Sequence, residues 1–393
     1  MTDPSPVSLP APQPGCRVTV CIPARNEAAS IAQTLAALGA QRAIDGEPLR
    51  ADFFDTIVFA NNCTDNTAAI VRAAAAARPA ARTFVLESNA GAGGAHIGAA
   101  RKYVLDVAAA RFLHAGRPAG IIASIDSDTL PAEDWVAWIA REMRGRDAVA
   151  GHVTIAERDQ EQLLAPVRLL YARELTYRRV LADVEAAIDP LPEDPQPRHA
   201  SFVGASFAVT AACYVAAGGL PPRRRLEDVA FAHALRRIDA RIRHSLQVRA
   251  TTSARLAARV DGGFGTFLAQ LHDCARRGES FRVEHPRLSL ANLESRAALR
   301  RIRAGQERCD DVERVATILN LPARTWLPAV DPRTPLGAID EALARRARAR
   351  RQSYHDVPVE EAIELLRGAF LAAKTRLHAA PFSDAELGSL DAS

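Results

Sequence analysis

The period of the apolar positions changes repeatedly along the first third of the chain. Residues 17–22, Arg-Val-Thr-Val-Cys-Ile, form a short β-branched run closed by Pro23, the pattern of a buried strand. Ile31, Leu35 and Leu38 then fall at helical intervals over 27–38, and a second strand is predicted at 55–60. Asn61-Asn62-Cys63-Thr64-Asp65-Asn66 has turn chemistry and leads into an Ala-rich helix at 67–77. The cycle repeats with a strand near 83–87, a Gly-rich turn, a helix across 98–112 and a strand at 120–125. Strands alternating with helices of this length imply a parallel sheet with right-handed crossovers, in which ligands bind outside the carboxyl ends of the strands. Chemistry-bearing residues are therefore expected directly after each strand.

Beyond residue 148 the pattern is less regular. The Pro- and acid-rich stretch 189–197 reads as a loop and a candidate flap over the site. From about 265 onward Leu, Ala, Arg and Glu recur at helical spacing, with an amphipathic helix at 360–377. The expected organisation is a loose Pro-rich tail at 1–15, a nucleotide-binding half at 16–148, an acceptor half at 149–264 and a helical extension at 265–393, with no internal repeat.

Composition narrows the class without changing this picture. At 393 residues the chain has room for one large α/β domain plus an appended piece. Apolar residues at 48% and charged residues at 24% fit a soluble globular protein and exclude disordered and fibrous classes. Fifty basic against 46 acidic residues leave a net charge of +4, too small a field to imply a nucleic-acid partner, and Arg clusters such as 223–225 read mainly as solvated faces. Six scattered cysteines without a Cys-x-x-Cys pair fit reduced thiols in a cytoplasmic protein. The N-terminus lacks the basic start and apolar run of a signal peptide. No apolar stretch approaches the roughly 20 residues of a membrane span, so any membrane contact is expected to be peripheral.

Asp126-Ser127-Asp128 follows the apolar strand at 120–125. In extended backbone, side chains two apart point the same way, so both carboxylates could face one divalent cation, and hard oxygen ligands suit Mg²⁺ or Mn²⁺. The competing reading is an Asp that caps the helix entered near Trp135. Glu227-Asp228, taken alone, reads equally well as the acidic first turn of a helix over 229–237. The segment Asn89-Ala-Gly91-Ala92-Gly93-Gly94 suggests a dinucleotide fingerprint, but the third glycine position falls on His96 and no acid ends the next strand at the expected distance.

Five segments in order resemble a family 2 glycosyltransferase with the GT-A fold, from about Val18 to Gly263. They are Ile22-Pro23-Ala24-Arg25-Asn26-Glu27, the turn at 59–67, the Gly-rich segment after the third strand, the Asp-Ser-Asp triplet, and Val203 to Ala208 running through Gly218-Gly219 to Glu227-Asp228. The resemblance implies an α/β fold with a Rossmann-like, mostly parallel sheet flanked by helices. It also implies that Pro23, Ala24, Arg25, Asn26, Glu27 and Asn61 hold the base and ribose, although Asn61 stands where the family has an Asp and so keeps hydrogen bonding without charge. Gly91 and Gly93 fall in the diphosphate segment, with Ala92 where a Lys is frequent and Arg101 as the replacement cation. Arg255 or Arg259 is a second candidate for the diphosphate.

By the same resemblance Asp126 contacts ribose or metal, Asp128 ligates the metal, and Gly204, Ala205, Ser206 and Trp135 lie on the acceptor side. Glu227 and Asp228 are the catalytic pair, with Asp228 the general base. Some relatives supply a His as third ligand; His244 is the nearest one here, and a core or solvated role is its other reading. The implied activity is metal-dependent hexosyl transfer from a nucleotide diphosphate sugar to an acceptor hydroxyl, inverting by single displacement, with lipid-linked and small soluble acceptors both compatible. Two other classes compete. A sugar-phosphate nucleotidyltransferase would carry a Gly-rich, Arg-containing loop where this chain has Pro23 to Glu27. A non-catalytic nucleotide-sugar-binding protein is suggested by Asn61 and Ala92.

Overall fold

The structure, a computed structural model, describes residues 9–89, 96–253, 263–307, 309–319, 322–327, 330, 333–339, 341 and 354–378. The first half alternates strand and helix as β1 (Val18–Ala24), α1 (Ile31–Gly39), β2 (Phe54–Asn61), α2 (Thr67–Ala77), β3 (Thr83–Ser88), α3 (Ile97–His114) and β4 (Ile121–Ile125). There follow β5 (Thr129–Pro131), α4 (Trp135–Glu142), β6 (Ala148–Ile155), α5 (Glu157–Gln162), α6 (Ala165–Ile188), β7 (Ser206–Thr210), α7 (Ala211–Ala216), α8 (Glu227–Arg237) and β8 (Ile242–Thr252). The extension contributes α9 (Phe264–Arg277), β9 (Arg282–Val283), α10 (Pro286–Arg303), α11 (Asp311–Leu319), α12 (Ala323–Trp326), β10 (Val357–Pro358) and α13 (Val359–His378).

Eight strands form one sheet in the order β3-β2-β1-β4-β7-β6-β8-β5. Four of its seven pairings are parallel, so the expected class, a mostly parallel sheet flanked by helices with a helical extension, is the one the chain adopts. β1 is buried along its whole length and alternates between two cores. Val18, Val20, Ile22 and Ala24 join the α1 and α4 side with Ile31, Leu35, Trp135 and Ile139, while Cys21 joins the α3, α7 and α8 side with Val104, Phe112, Phe207 and Phe231. Because the one sheet runs across residue 148, the two expected halves share a core.

Several local expectations are corrected. Pro23 does not end β1; past Cys21 only β2 remains paired to it, and at such a one-sided position a residue without an N–H is tolerated. The region after 148 contains a 24-residue helix, α6, whose buried positions Val167, Leu170, Tyr171, Ala182 and Val184 are separated by charged ones. α6 packs near its start against Ile155 of β6 and otherwise against α9, α10 and α13 of the extension, contacts far off in sequence that its own pattern does not announce. The loop at 189–197 is a pinned strap and not a flap over the site. Its Asp194 accepts from Arg198 Nη1 (2.5 Å), from Arg243 Nη1 (3.2 Å) and from the backbone N–H of His244 (2.8 Å), while His244 Nδ1 lies 2.7 Å from its Oδ2. The six cysteines are free thiols. Among the described residues no helix is long and apolar enough to cross a membrane.

Candidate functional site

The carboxyl ends of β1 and β2 carry two loops that are laced together. Asn26 Oδ1 accepts from the Thr64 N–H (2.7 Å), the Glu27 N–H donates to Thr67 Oγ1 (2.8 Å), and the Ala28 N–H donates to Asp65 Oδ2 (3.1 Å). Asp65 also accepts from Thr67 N–H and hydroxyl, which orders the entry into α2 and holds its carboxyl below the usual range, burial opposing and the hydrogen bonds prevailing. Asn26 and Asn62 sit at φ +55° and +54°, a region that Asn tolerates. Of the expected nucleotide residues Arg25 is exposed and Asn26 half-buried, whereas Pro23, Ala24, Glu27 and Asn61 are buried beneath them.

Asp126 to Asp128 are not extended. The Thr129 N–H donates to the Asp126 carbonyl (3.1 Å), closing a turn between β4 and β5, so the two-apart geometry expected of a strand does not apply. The two carboxylates, both half-buried, part toward different supports: Asp126 Oδ1 accepts from Arg101 Nη2 (2.8 Å), and Asp128 Oδ2 accepts from the Ser253 hydroxyl (3.1 Å).

Arg101, in the second turn of α3, is 2% exposed. Its Nη1 donates to Ser124 Oγ and to the Gly204 carbonyl, both at 2.8 Å, and its Nε to Glu227 Oε1 at 3.1 Å. Burial alone would push this guanidinium's pKa down; Asp126 and Glu227 more than reverse that and raise it. Burial pushes the Glu227 carboxyl up, Arg101 opposing and the charge of Asp228 adding to it. The expectation that Arg101 faces a diphosphate thus meets a guanidinium committed to four protein acceptors.

Glu227 and Asp228 open α8. Glu227 is turned inward on Arg101, while Asp228 is half-buried, its Oδ2 accepting from the Gly204 N–H and its Oδ1 from the Val229 N–H, each at 2.8 Å. Leu226, just before them, is held at φ +53° although it is 55% exposed, a left-handed conformation that costs a Leu about 1–2 kcal/mol.

Other expected residues fall elsewhere. Trp135 and Ser206 are fully buried and bonded to each other, indole Nε1 to hydroxyl at 3.0 Å, so they form the floor of the fold and no acceptor can touch them; Gly204 is buried too, and Ala205 is half-buried. His244 lies inside β8 on Asp194 and not beside Asp128. Gly91, Ala92, Gly93, Arg255 and Arg259 lie outside the described residues. The sequence reading missed His272 of α9, which lines a cavity of about 480 Å³ together with Asp128, Ser30, Thr34, Arg158 and Thr252. Its Nε2 is buried without a hydrogen-bond partner among the described residues. No motif marks His272; only the burial of Leu268 and Leu271 on α9 turns that helix toward the cleft. A second cavity, of about 350 Å³, lies between the strap, α8 and α10 and holds His244 but none of the other expected site residues.

Among the described residues no group of three or more His, Cys, Asp or Glu is arranged to hold a metal by itself. Asp126 and Asp128 nonetheless offer hard carboxylate oxygens at one turn, a donor set suited to Mg²⁺ or Mn²⁺ when substrate phosphates and water complete the shell. Asp128 is the better placed of the two, since Asp126 already neutralises part of the Arg101 charge.

Residues 19–183 match the family profile described as Glycosyl transferase family 2. No curated protein matches the chain in sequence. Among solved structures, the mannosyltransferase PcManGT from Pyrobaculum calidifontis in complex with GDP-Man and Mn²⁺ is 17% identical, with 94% of this chain and 88% of that chain covered and a TM-score of 0.42. TarS 1-349 of S. aureus in complex with UDP-GlcNAc is 14% identical, with 86% and 91% covered and a TM-score of 0.43. The profile match takes in β1 to β4, the Asp126–Asp128 turn and most of α6, the segments that build the parallel half of the sheet and its acidic exit. Residues 19–183 thus match glycosyl transferase family 2, and they fold as the helix-flanked, mostly parallel half of the sheet that the ordered motifs implied.

Proposed function

We propose that the chain transfers a hexosyl group from a nucleoside diphosphate sugar to an acceptor hydroxyl, with a divalent metal at Asp126 and Asp128 and with Asp228 as general base. The observation that carries this reading is the junction of the acidic turn after β4 with Glu227-Asp228 through one buried guanidinium; the turn and Arg101 lie in the segment that matches glycosyl transferase family 2, and Glu227-Asp228 lies beyond it. Arg25 and Asn26 meet the nucleoside, with Pro23, Ala24, Glu27 and Asn61 shaping the loops beneath; Gly91, Gly93 and Arg255 attend the diphosphate, and Gly204 and Ala205 border the acceptor. Asp126 and Asp128 would hold the metal, which would supply Lewis-acid relief of charge on the leaving diphosphate, worth several kcal/mol. Asp228 takes the proton of the attacking hydroxyl, a role worth about 10²–10⁴-fold. Its carboxylate is aimed by the Gly204 and Val229 N–H groups. A single displacement inverts the anomeric centre.

The test is a panel of UDP-, GDP- and TDP-sugars with and without Mn²⁺, read by thermal shift and nucleotide release. A true donor at 100 times its Kd stabilises the fold by about 2.7 kcal/mol. Asp128→Ala is expected to lose the metal-dependent shift, and Asp228→Ala to keep it while losing transfer. Silence across the panel would sink the reading, and normal transfer by Asp228→Ala would remove the base.

A further inference from the structure

We propose that Arg101 is a positioning residue, which fixes the base helix to the acidic turn and does not itself bind the donor diphosphate. The proposal rests on the transfer reading above for its catalytic half and on geometry alone for the rest. Four of the five guanidinium N–H groups are spent on four separate segments: Ser124 at the end of β4, Asp126 in the turn, Gly204 before β7 and Glu227 at the start of α8. At 2% exposure the group presents almost nothing to a ligand.

Gly204 is the second half of the device. Its carbonyl accepts from Arg101 and from Ser124 (3.0 Å), while its N–H holds Asp228, so the guanidinium reaches the proposed base by two routes, through Glu227 next door and through the Gly204 backbone. A Cβ on Gly204 would come within 2.7 Å of the guanidinium, which has no room to retreat between its partners. A lysine could carry the charge but not the fork, so it cannot span four acceptors. The arrangement fixes the separation between the group that takes the proton and the turn that holds the metal, and a misplacement of about 1 Å between such groups costs roughly 10²-fold in rate.

The experiment compares the full chain with Arg101→Lys, Gly204→Ala and a control, Arg111→Met, which removes another buried ion pair, the one to Asp55. Backbone hydrogen exchange is measured without ligand, and donor hydrolysis is measured with whichever sugar nucleotide gives the wild type a Mn²⁺-dependent thermal shift. In Arg101→Lys, exchange is expected to rise together in 199–206 and 226–232, and kcat to fall by about 100-fold with donor Kd within about twofold. Gly204→Ala should reproduce the pattern and Arg111→Met should not. Unchanged exchange in those two segments, or a change confined to α3, overturns the tie, and a loss of donor affinity as large as the loss of kcat overturns the positioning role in favour of direct donor binding. If no sugar nucleotide shifts the wild type, the transfer reading fails by that result alone, and the exchange data still uphold or overturn the Arg101 tie.

Discussion

At the scale of single residues, the site is marked by side chains that act against their usual habits. Arg101 is a cation withdrawn from water, Glu227 a carboxylate turned inward, and Leu226 a branched apolar residue in left-handed backbone. Arg101 and Glu227 are tolerated because they pair with each other and Arg101 with Asp126, whereas Leu226 has no such support. Leu226 gives a direct measure of that strain: Asn accepts the left-handed region more readily, and the exposed Leu side chain packs little. Leu226→Asn is expected to raise stability by about 0.5–1 kcal/mol in urea denaturation, and Leu226→Val to lower it. No increase with Asn would mean the conformation is relaxed. The sequence made the acidic residues visible, because Asp126 and Asp128 stand after an apolar run and Glu227-Asp228 stands downstream of Gly218-Gly219. It did not show that Asp126 and Asp128 lie in a turn, since three residues carry no period from which to tell a turn from a strand.

Among the elements, α8 is held at both ends. Its N-terminus meets Arg101, and beyond its C-terminus Asp239, at φ +55°, accepts from the backbone N–H groups of Leu336 and Gly337, each at 2.8 Å, and pairs with Arg303 at 3.3 Å. The extension therefore braces the helix that carries the proposed base. Gly337 lies so close to the Arg236 carbonyl that a Cβ would collide with backbone that cannot step aside. Gly337→Ala should cost about 1–3 kcal/mol and raise hydrogen exchange in 333–339 and 236–240 together, while leaving β1 to β4 protected. Unchanged exchange there would show that the extension does not depend on this approach. The helical character of the described residues after 264 was legible from composition and spacing; their docking on α6 and α8 was not, because contacts with Asp239 and Arg236 are made across about a hundred residues of sequence.

Across the whole molecule, three histidines from separate segments cluster beside the strap, with ring centroids 5.5 Å apart for His152 and His199, tilted, and 5.6 Å for His199 and His244, edge to face. His199 accepts the Ser201 N–H on Nδ1 (3.2 Å), so its Nε2 carries the hydrogen donated to the Ala150 carbonyl (3.2 Å), and the ring is neutral. Burial first, and then the neighbouring His244 and His152, push its pKa down to about 3. The unfolded chain, titrating at the ordinary value of 6.5, binds the proton first as pH falls. Stability is therefore complete above 6.5 and declines between 6.5 and about 3, by at most about 1.4 kcal/mol per pH unit from this one group. His199→Gln is expected to flatten the acid limb by roughly one proton's slope in urea denaturation at a series of pH values; an unchanged slope would place the proton uptake elsewhere.

The sequence by itself determined the alternation of strand and helix, the acidic exits from the strands and their order, since these depend on short-range period and on residue type. Tertiary structure alone decided which of those residues meet. Arg101 and Glu227 stand 126 positions apart and Asp128 and Ser253 stand 125 apart, and no local pattern encodes such pairs. Only the strand order β1-β4-β7 brings α3, the Asp126 turn and α8 around one guanidinium. The same long-range packing sank Trp135 and Ser206 into the floor and brought His272 into the cavity beside Asp128, because burial is a property of the assembled sheet and not of any segment within it.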